Sequence, residues 1–210
     1  MGRQRVVFIG SSRWGLNALR VLHELPEIEV VGAVTNPAVF KISYRPDGVK
    51  NVHHADVPGF CEEAGIPVYL MGADESMKSP DLYTCLERWA PDSFFALGWY
   101  HVIPKVIRDL APVLGIHYSL LPDYAGGAPL VWALINQEET VGATFFQLDG
   151  GIDTGPIIGR ASVEVAHRET IGALYERVGH ASLELLRDYY PRFARGEQLA
   201  VPQTGEGRRV

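Results

Sequence analysis

The chain has 210 residues, 47% of them hydrophobic, which is enough to bury one substantial core in a single domain. Its 25 acidic against 19 basic residues give a formal charge of -6 at pH 7, which repels phosphate backbones and argues against a large nucleic-acid partner. Cys61 and Cys85 lack metal-ligand or disulfide-framework spacing, so two reduced thiols, no metal and a cytoplasmic setting are expected.

Met1-Gly2-Arg3-Gln4-Arg5 runs straight into Val6, Val7, Phe8 and Ile9, too short an apolar run for a signal peptide. No apolar stretch approaches the ~20 residues that span a bilayer, so no membrane partner is expected. The run 6–9 is closed by Gly10 and has the pattern of a strand buried on both faces of a parallel sheet. Ser11 and Ser12 then cap a helix that carries Trp14, Leu16, Leu19 and Leu22 at helical spacing. Residues 28–34 predict a second strand, 94–97 a central one and 116–119 another. Between them, residues 35–56, with Pro37, Pro46, Gly48 and the pair His53-His54, predict a long irregular loop before a helix near Phe60.

Residues 144–148 and 157–165 predict two strands joined as an antiparallel hairpin. Residues 170–195, with Leu174, Val178, Leu183, Leu185 and Leu186 among many charges, predict a long amphipathic helix packed on the sheet. The expected fold is α/β and Rossmann-like: a mostly parallel twisted sheet with helices on both faces and an antiparallel hairpin. It should occupy residues 1–196, followed by a polar tail over 197–210.

Two residues carry the chemistry. His117 falls where a central strand should end, and open α/β sheets bind ligands outside the carboxyl ends of their strands. An imidazole there can accept and return a proton at neutral pH, although on position alone a hydrogen-bonded core histidine fits equally well. Asp153 is flanked by Gly150, Gly151 and Gly155 in a backbone that can bend tightly and leave room for a ligand. Taken singly it is an aspartate in a turn; together with His117 it makes a proton-transfer pair.

The segments His117-Tyr118-Ser119-Leu120-Leu121-Pro122, Gly127-Ala128-Pro129, Gly142-Ala143-Thr144 and Asp153-Thr154-Gly155 resemble the formyltransferase family. Members of that family move a formyl group from 10-formyltetrahydrofolate to an amine. The similarity extends more weakly to residues 98–104 and to the first strand-turn-helix. It implies His117 and Asp153 as catalytic residues and 10-formyltetrahydrofolate as co-substrate, with no metal. It places the folate against Leu97, Gly98, Trp99 and Tyr100 and against Gln147, Leu148, Asp149, Gly150 and Gly151.

Ser11, Ser12 and Arg13 open the first helix, where N–H groups and the helix dipole can hold an anion of the acceptor; an ordinary cap is the competing reading. Tyr118 and Ser119 are further acceptor-facing candidates. Arg45, His53 and His54 are either an acceptor wall or plain surface, with surface the better expectation. Trp132 is expected in the core.

One departure from the family pattern is specific. The family's catalytic asparagine falls, by gapless alignment on His117, at Gly115. Loss of one such donor to a developing oxyanion can cost ~2.7–4 kcal/mol, and Tyr118, Ser119 or a backbone N–H are the candidates to replace it. The tRNA-directed members of the family carry a further basic domain, which with the acidic balance favours a small-molecule amine acceptor, an amino sugar nucleotide first. Hydrolysis of 10-formyltetrahydrofolate, or folate binding without turnover, stays open. So does a homodimer, which chain length permits and no residue specifies.

Overall fold

A computed structural model describes residues 2–42 and 45–210. Met1, Ser43 and Tyr44 lie outside the described residues, the last two inside the stretch predicted to be irregular. The class is α/β and Rossmann-like, as the alternation of strands and helices predicts: a mostly parallel sheet with helices, in which residues 140–147 and 157–164 pair antiparallel as expected, and in addition a separate two-stranded hairpin. The chain divides into two compact units, Met1–Val113 and Leu114–Val210.

In the first unit, β1 (Gln4–Ile9) is followed by α1 (Arg13–Glu24) and β2 (Ile28–Thr35). A hairpin of β3 (Val39–Ile42) and β4 (Arg45–Lys50) comes next, then α2 (Val57–Ala64), β5 (Val68–Leu70), α3 (Pro80–Trp89), β6 (Ser93–Ala96) and the single turn α4 (Lys105–Arg108). The parallel strands run in the order β5-β2-β1-β6. Val6, Val7, Phe8 and Ile9 are all fully buried, so both faces of β1 are covered. On the neighbouring β2, Trp89 of α3 packs flush: its ring lies only 2.5 Å from where a Cβ at Gly32 would stand. Glycine there lets the indole sit directly on the strand.

The hairpin corrects the expectation of an irregular stretch over 35–56. Val39 to Ile42 alternates exposed and buried residues, with Phe40 and Ile42 turned inward. Period 2 over four residues is too short to stand out beside Pro46 and Gly48 in the partner strand. The ladder forms all the same and is closed by Asn51 N–H to Ala38 O at 2.8 Å.

The second unit holds β7 (Val113–His117), α5 (Pro129–Ile135), β8 (Thr140–Gln147), β9 (Ile157–Glu164) and α6 (Ile171–Ala194). β7 and β9 both pair antiparallel with β8. The strand predicted over 116–119 is thus displaced: β7 begins just after Pro112 and ends at His117, leaving Tyr118 and Ser119 in the following loop. Thr170 caps α6 by accepting from Ala173 N–H, and Leu174, Val178, Leu185 and Leu186 are its buried stripe.

Trp132 is 44% exposed, against the expectation of a core position. Ala128, in a left-handed conformation, caps α5, and Pro129 takes its first turn; this phase buries Pro129, Leu130 and Ala133 and turns Trp132 outward. No helix among the described residues is long and apolar enough to cross a membrane. Cys61 is a buried free thiol whose pKa burial pushes up to about 11, and Cys85 is free and half-buried.

Candidate active site

His117 is the last residue of β7, and the loop that follows is clasped by one side chain. Thr144 of β8, fully buried, donates its hydroxyl to Ser119 O at 2.7 Å and accepts from Leu121 N–H at 3.0 Å. Gly142, two residues earlier, has no room for a side chain: a Cβ would overlap Ala161 O and stand 2.7 Å from Leu120 Cδ2. The Gly-x-Thr spacing therefore has a physical reason, a close approach at the glycine and a backbone clasp at the threonine. Arg160 of β9 adds a 2.6 Å hydrogen bond to Leu121 O.

The loop then turns back on the histidine. Tyr124 has φ of 58°, and its carbonyl oxygen lies 2.8 Å from His117 Nε2. A carbonyl can only accept, so Nε2 carries the hydrogen and the neutral ring presents an acceptor lone pair at Nδ1. Asp153 Oδ2 stands 3.6 Å from Nδ1. That exceeds a hydrogen bond but is within ion-pair reach, so a proton taken up at Nδ1 would meet a carboxylate. Both side chains are largely shielded from solvent.

Asp153 is held by its surroundings. Its Oδ2 accepts from Gly126 N–H at 2.9 Å, and its own φ is 54°. The turn begins with Asp149, whose Oδ1 accepts from Gly151 N–H at 2.9 Å and from the Thr154 hydroxyl at 2.7 Å. It ends at Gly155, where a Cβ would overlap Gln147 O. Gln147 and Leu148 are half-buried, and Asp149, Gly150 and Gly151 are exposed. A cavity of about 510 Å³ borders the turn, lined by Pro122, Ala125, Asp153 and Thr154 together with Gln203, Gly205, Glu206, Gly207 and Arg209.

The two other candidates in this unit are engaged internally. Tyr118 is buried with its hydroxyl 3.3 Å from Ser182 Oγ, and the Ser119 hydroxyl donates to Asp123 O at 2.6 Å. Gly115 is buried in β7, opposite Phe146 of β8. Alternate residues of a strand share a face, so position 115 looks to the same side as His117 and brings no amide there.

In the first unit, the predicted residues gather at the carboxyl ends of β2, β1 and β6. Ser12 is the N-cap of α1, accepting from Gly15 N–H at 3.2 Å. Arg13 N–H donates to His53 O at 2.8 Å, and the Arg13 guanidinium lies over the Trp14 ring, 4.4 Å from its centroid. With these N–H groups committed, the cap reading of Ser12 is the one the geometry displays. Gly98 has φ of 67°, and a Cβ there would overlap Ser12 Oγ. Gly10 and Gly15 both press on Leu97 O, 2.5 Å from each ideal Cβ, which locks residues 97–98 against the first turn of α1.

Two residues here escaped the sequence reading. Asn51, buried, donates through Nδ2 to Ser11 O at 3.3 Å and Ser11 Oγ at 3.2 Å, while the Tyr100 hydroxyl donates to Asn51 Oδ1 at 3.4 Å. Asn36 Nδ2 lies 3.3 Å from His101 Nε2, and His54 Nε2 lies 3.1 Å from Asn36 O. The available signal was Asn36 directly after a buried strand, where open sheets place ligand contacts. Among the described residues, the buried atoms Asn36 Oδ1 and Trp99 Nε1 have no hydrogen-bond partner. Burial lowers the pKa of His101; His53 is lowered by burial first and then by Arg13.

The structure thus brings together a histidine with one nitrogen closed by a carbonyl and the other facing a carboxylate, on loops held by Gly-x-Thr and Asp-x-Gly segments. The chain belongs to the formyl transferase family, whose sequence profile matches residues 4–189. It is 30% identical to the methionyl-tRNA formyltransferase of Myxococcus xanthus over 210 residues, 99% of this chain and 64% of that protein. It is 32% identical to the one of Desulfotalea psychrophila over 202 residues, 95% of this chain and 59% of that protein. The chain thus spans about six-tenths of the length of these relatives.

Among solved structures, glycinamide ribonucleotide transformylase 1 from Symbiobacterium toebii superposes with a TM-score of 0.75 at 22% identity, covering 99% of this chain and 93% of that one. A sugar N-formyltransferase from a Shewanella species gives 0.73 at 16% identity, covering 99% and 76%. At these identities the likeness is one of fold.

Proposed function

We propose that this protein transfers the formyl group of 10-formyltetrahydrofolate to the amine of an acceptor. The observation that carries the reading is the pair His117 Nδ1 and Asp153 Oδ2, 3.6 Å apart with Asp153 lining a cavity, in a chain of the formyl transferase family. The neutral amine attacks the formyl carbon and a tetrahedral intermediate forms. His117 Nδ1 takes the proton that the amine nitrogen sheds, Asp153 balances the imidazolium, and the C–N bond to the folate breaks as the proton returns to the leaving nitrogen. Nε2, committed to Tyr124 O, keeps the ring oriented throughout. Folate contacts are proposed for Leu97, Gly98, Trp99 and Tyr100 and, separately, for Gln147, Leu148, Asp149, Gly150 and Gly151. The buried Trp99 Nε1, without an acceptor, is a donor suited to a carbonyl or ring nitrogen.

The acceptor is proposed to be a small amine, an amino sugar nucleotide first. The acidic balance of the chain supports this, and Asn36 Oδ1, buried with no hydrogen-bond partner among the described residues, is an acceptor suited to a sugar hydroxyl. Arg13 and Gly15 N–H groups at the start of α1 are committed to His53 O and Ser12 Oγ, so the phosphates of such an acceptor would have to be held elsewhere. Methionyl-tRNA is the second reading, favoured by the names of the relatives at 30–32% identity.

The test is mass spectrometry for a formyl mass gain on amino sugar nucleotides and on methionyl-tRNA, with a no-amine arm scored for formate. His117→Ala and Asp153→Asn should abolish the gain while a tetrahydrofolate analogue still binds. Turnover unchanged in either variant would remove that residue from the mechanism, and formate release without an amine would make the enzyme a hydrolase.

A further inference from the structure

Residues 197–210 have the composition of a polar tail, yet residues 201–203 join the strand-and-turn core of their unit. Ile157 and Val201 exchange backbone hydrogen bonds of 2.8 Å in each direction. That pairing sets the next residues alongside the Asp153 turn. There the Gln203 side-chain amide donates to two carbonyl oxygens, Asp153 O and Gly155 O, both at 2.8 Å. An NH₂ group has two hydrogens, and the turn takes both.

The turn is one that needs holding. Asp153 occupies the left-handed region, which L-residues avoid; its Oδ2 accepts from Gly126 N–H, Gly155 is pressed in behind it, and Asp149 ties the start of the turn to Gly151 and Thr154. Relaxation of Asp153 from its φ of 54° would turn its Cβ and its carbonyl together about the N–Cα bond, re-aiming the carboxylate relative to His117. Gln203 binds the carbonyls on both sides of Thr154, so it opposes that rotation directly.

We propose that Gln203 is a positioning residue for Asp153, its amide clamping the turn so that the carboxylate stays opposite His117 Nδ1. The inference rests on the formyl-transfer reading of that pair. Length and chemistry of the side chain are both specified. Asparagine is one carbon–carbon bond shorter, ~1.5 Å, and can keep at most one of the two bonds. Methionine has the reach and no N–H donor.

The experiment compares the parent chain with Gln203→Met and Gln203→Asn. For Gln203→Met, kcat should fall about tenfold, the loss of two hydrogen bonds of ordinary net strength, while KM for the folate and the Kd of a folate analogue stay within about twofold. Gln203→Asn should fall between. Amide hydrogen exchange at Gly126, whose N–H donates to Asp153 Oδ2, should quicken about tenfold in Gln203→Met, with the amides of β8 unchanged.

Unchanged kcat together with unchanged Gly126 exchange would overturn the proposal. So would equal losses of kcat and folate affinity alongside quickened β8 exchange, which is the signature of general loosening. If the parent itself transfers no formyl group, the functional reading fails, and the Gly126 exchange rate alone then decides whether Gln203 positions the turn.

Discussion

Replacing Gly98 by alanine should damage the chain at two places at once. The first cost is local: at φ of 67°, an L-residue in the left-handed region costs ~1–2 kcal/mol. The second falls on Ser12, because the new Cβ would overlap Ser12 Oγ and lie 2.7 Å from Ser12 Cβ. The hydroxyl must rotate off Gly15 N–H, forfeiting an N-cap worth about 1 kcal/mol. Together these come to ~2–3 kcal/mol, and at ~2–4 °C per kcal/mol for a chain of this size Tm should fall by ~4–12 °C. Calorimetry on Gly98→Ala, Ser12→Ala and the double variant separates the two costs. Ser12→Ala alone should cost about 1 kcal/mol, and in that background Gly98→Ala should add the left-handed penalty and the remaining crowding against the position-12 Cβ but no second loss of the cap, a coupling of about 1 kcal/mol. Full additivity, or a Gly98→Ala chain melting with the parent, would refute the reading of Gly98 as the residue that makes room for the cap.

Thr144→Val keeps the shape of the side chain and removes the clasp, leaving Ser119 O and Leu121 N–H buried without it; a loss of about 2 kcal/mol in urea unfolding is expected, with a lower kcat. Gly115→Asn places an amide on the face of β7 that carries His117. A rise in formyl-transfer kcat of about tenfold or more is expected, and no rise would mean that another donor already serves the oxyanion. His101 is held below the ordinary value of 6.5 by burial, so below that pH the unfolded chain binds more protons than the native one. Stability should therefore fall as pH drops through the mid-sixes toward the lowered value, and urea midpoints of His101→Gln should show a shallower fall. His53, lowered by burial and by Arg13, contributes in the same direction.

The sequence exposed most readily what is periodic or joined in a motif. The apolar run of β1, the Ser12 cap and the stripe of α6 follow from short-range rules, and each sits where those rules put it. His117 and Asp153 were legible only as a pair, since neither residue type is informative alone. What stayed hidden was set by tertiary contact. The β3–β4 hairpin alternates over too few residues to be seen, and the phase of α5, which exposes Trp132, depends on the left-handed cap at Ala128. Asn36 and Asn51 are ordinary loop asparagines until the ends of parallel strands bring Ser11, Tyr100 and His101 to them. Gln203 looked like tail, because a glutamine that clamps a turn 50 residues away carries no local signal.

The hydrogen bond from His117 to Tyr124 O has a kinetic corollary. With that nitrogen occupied, the imidazole cannot conduct a hydron from one edge to the other; whatever enters at Nδ1 must leave by Nδ1. In the proposed transfer, donor and recipient therefore have to visit the same edge in turn, and the ring handles a single hydron at a time. Rates measured across mixtures of light and heavy water should accordingly trace a straight line.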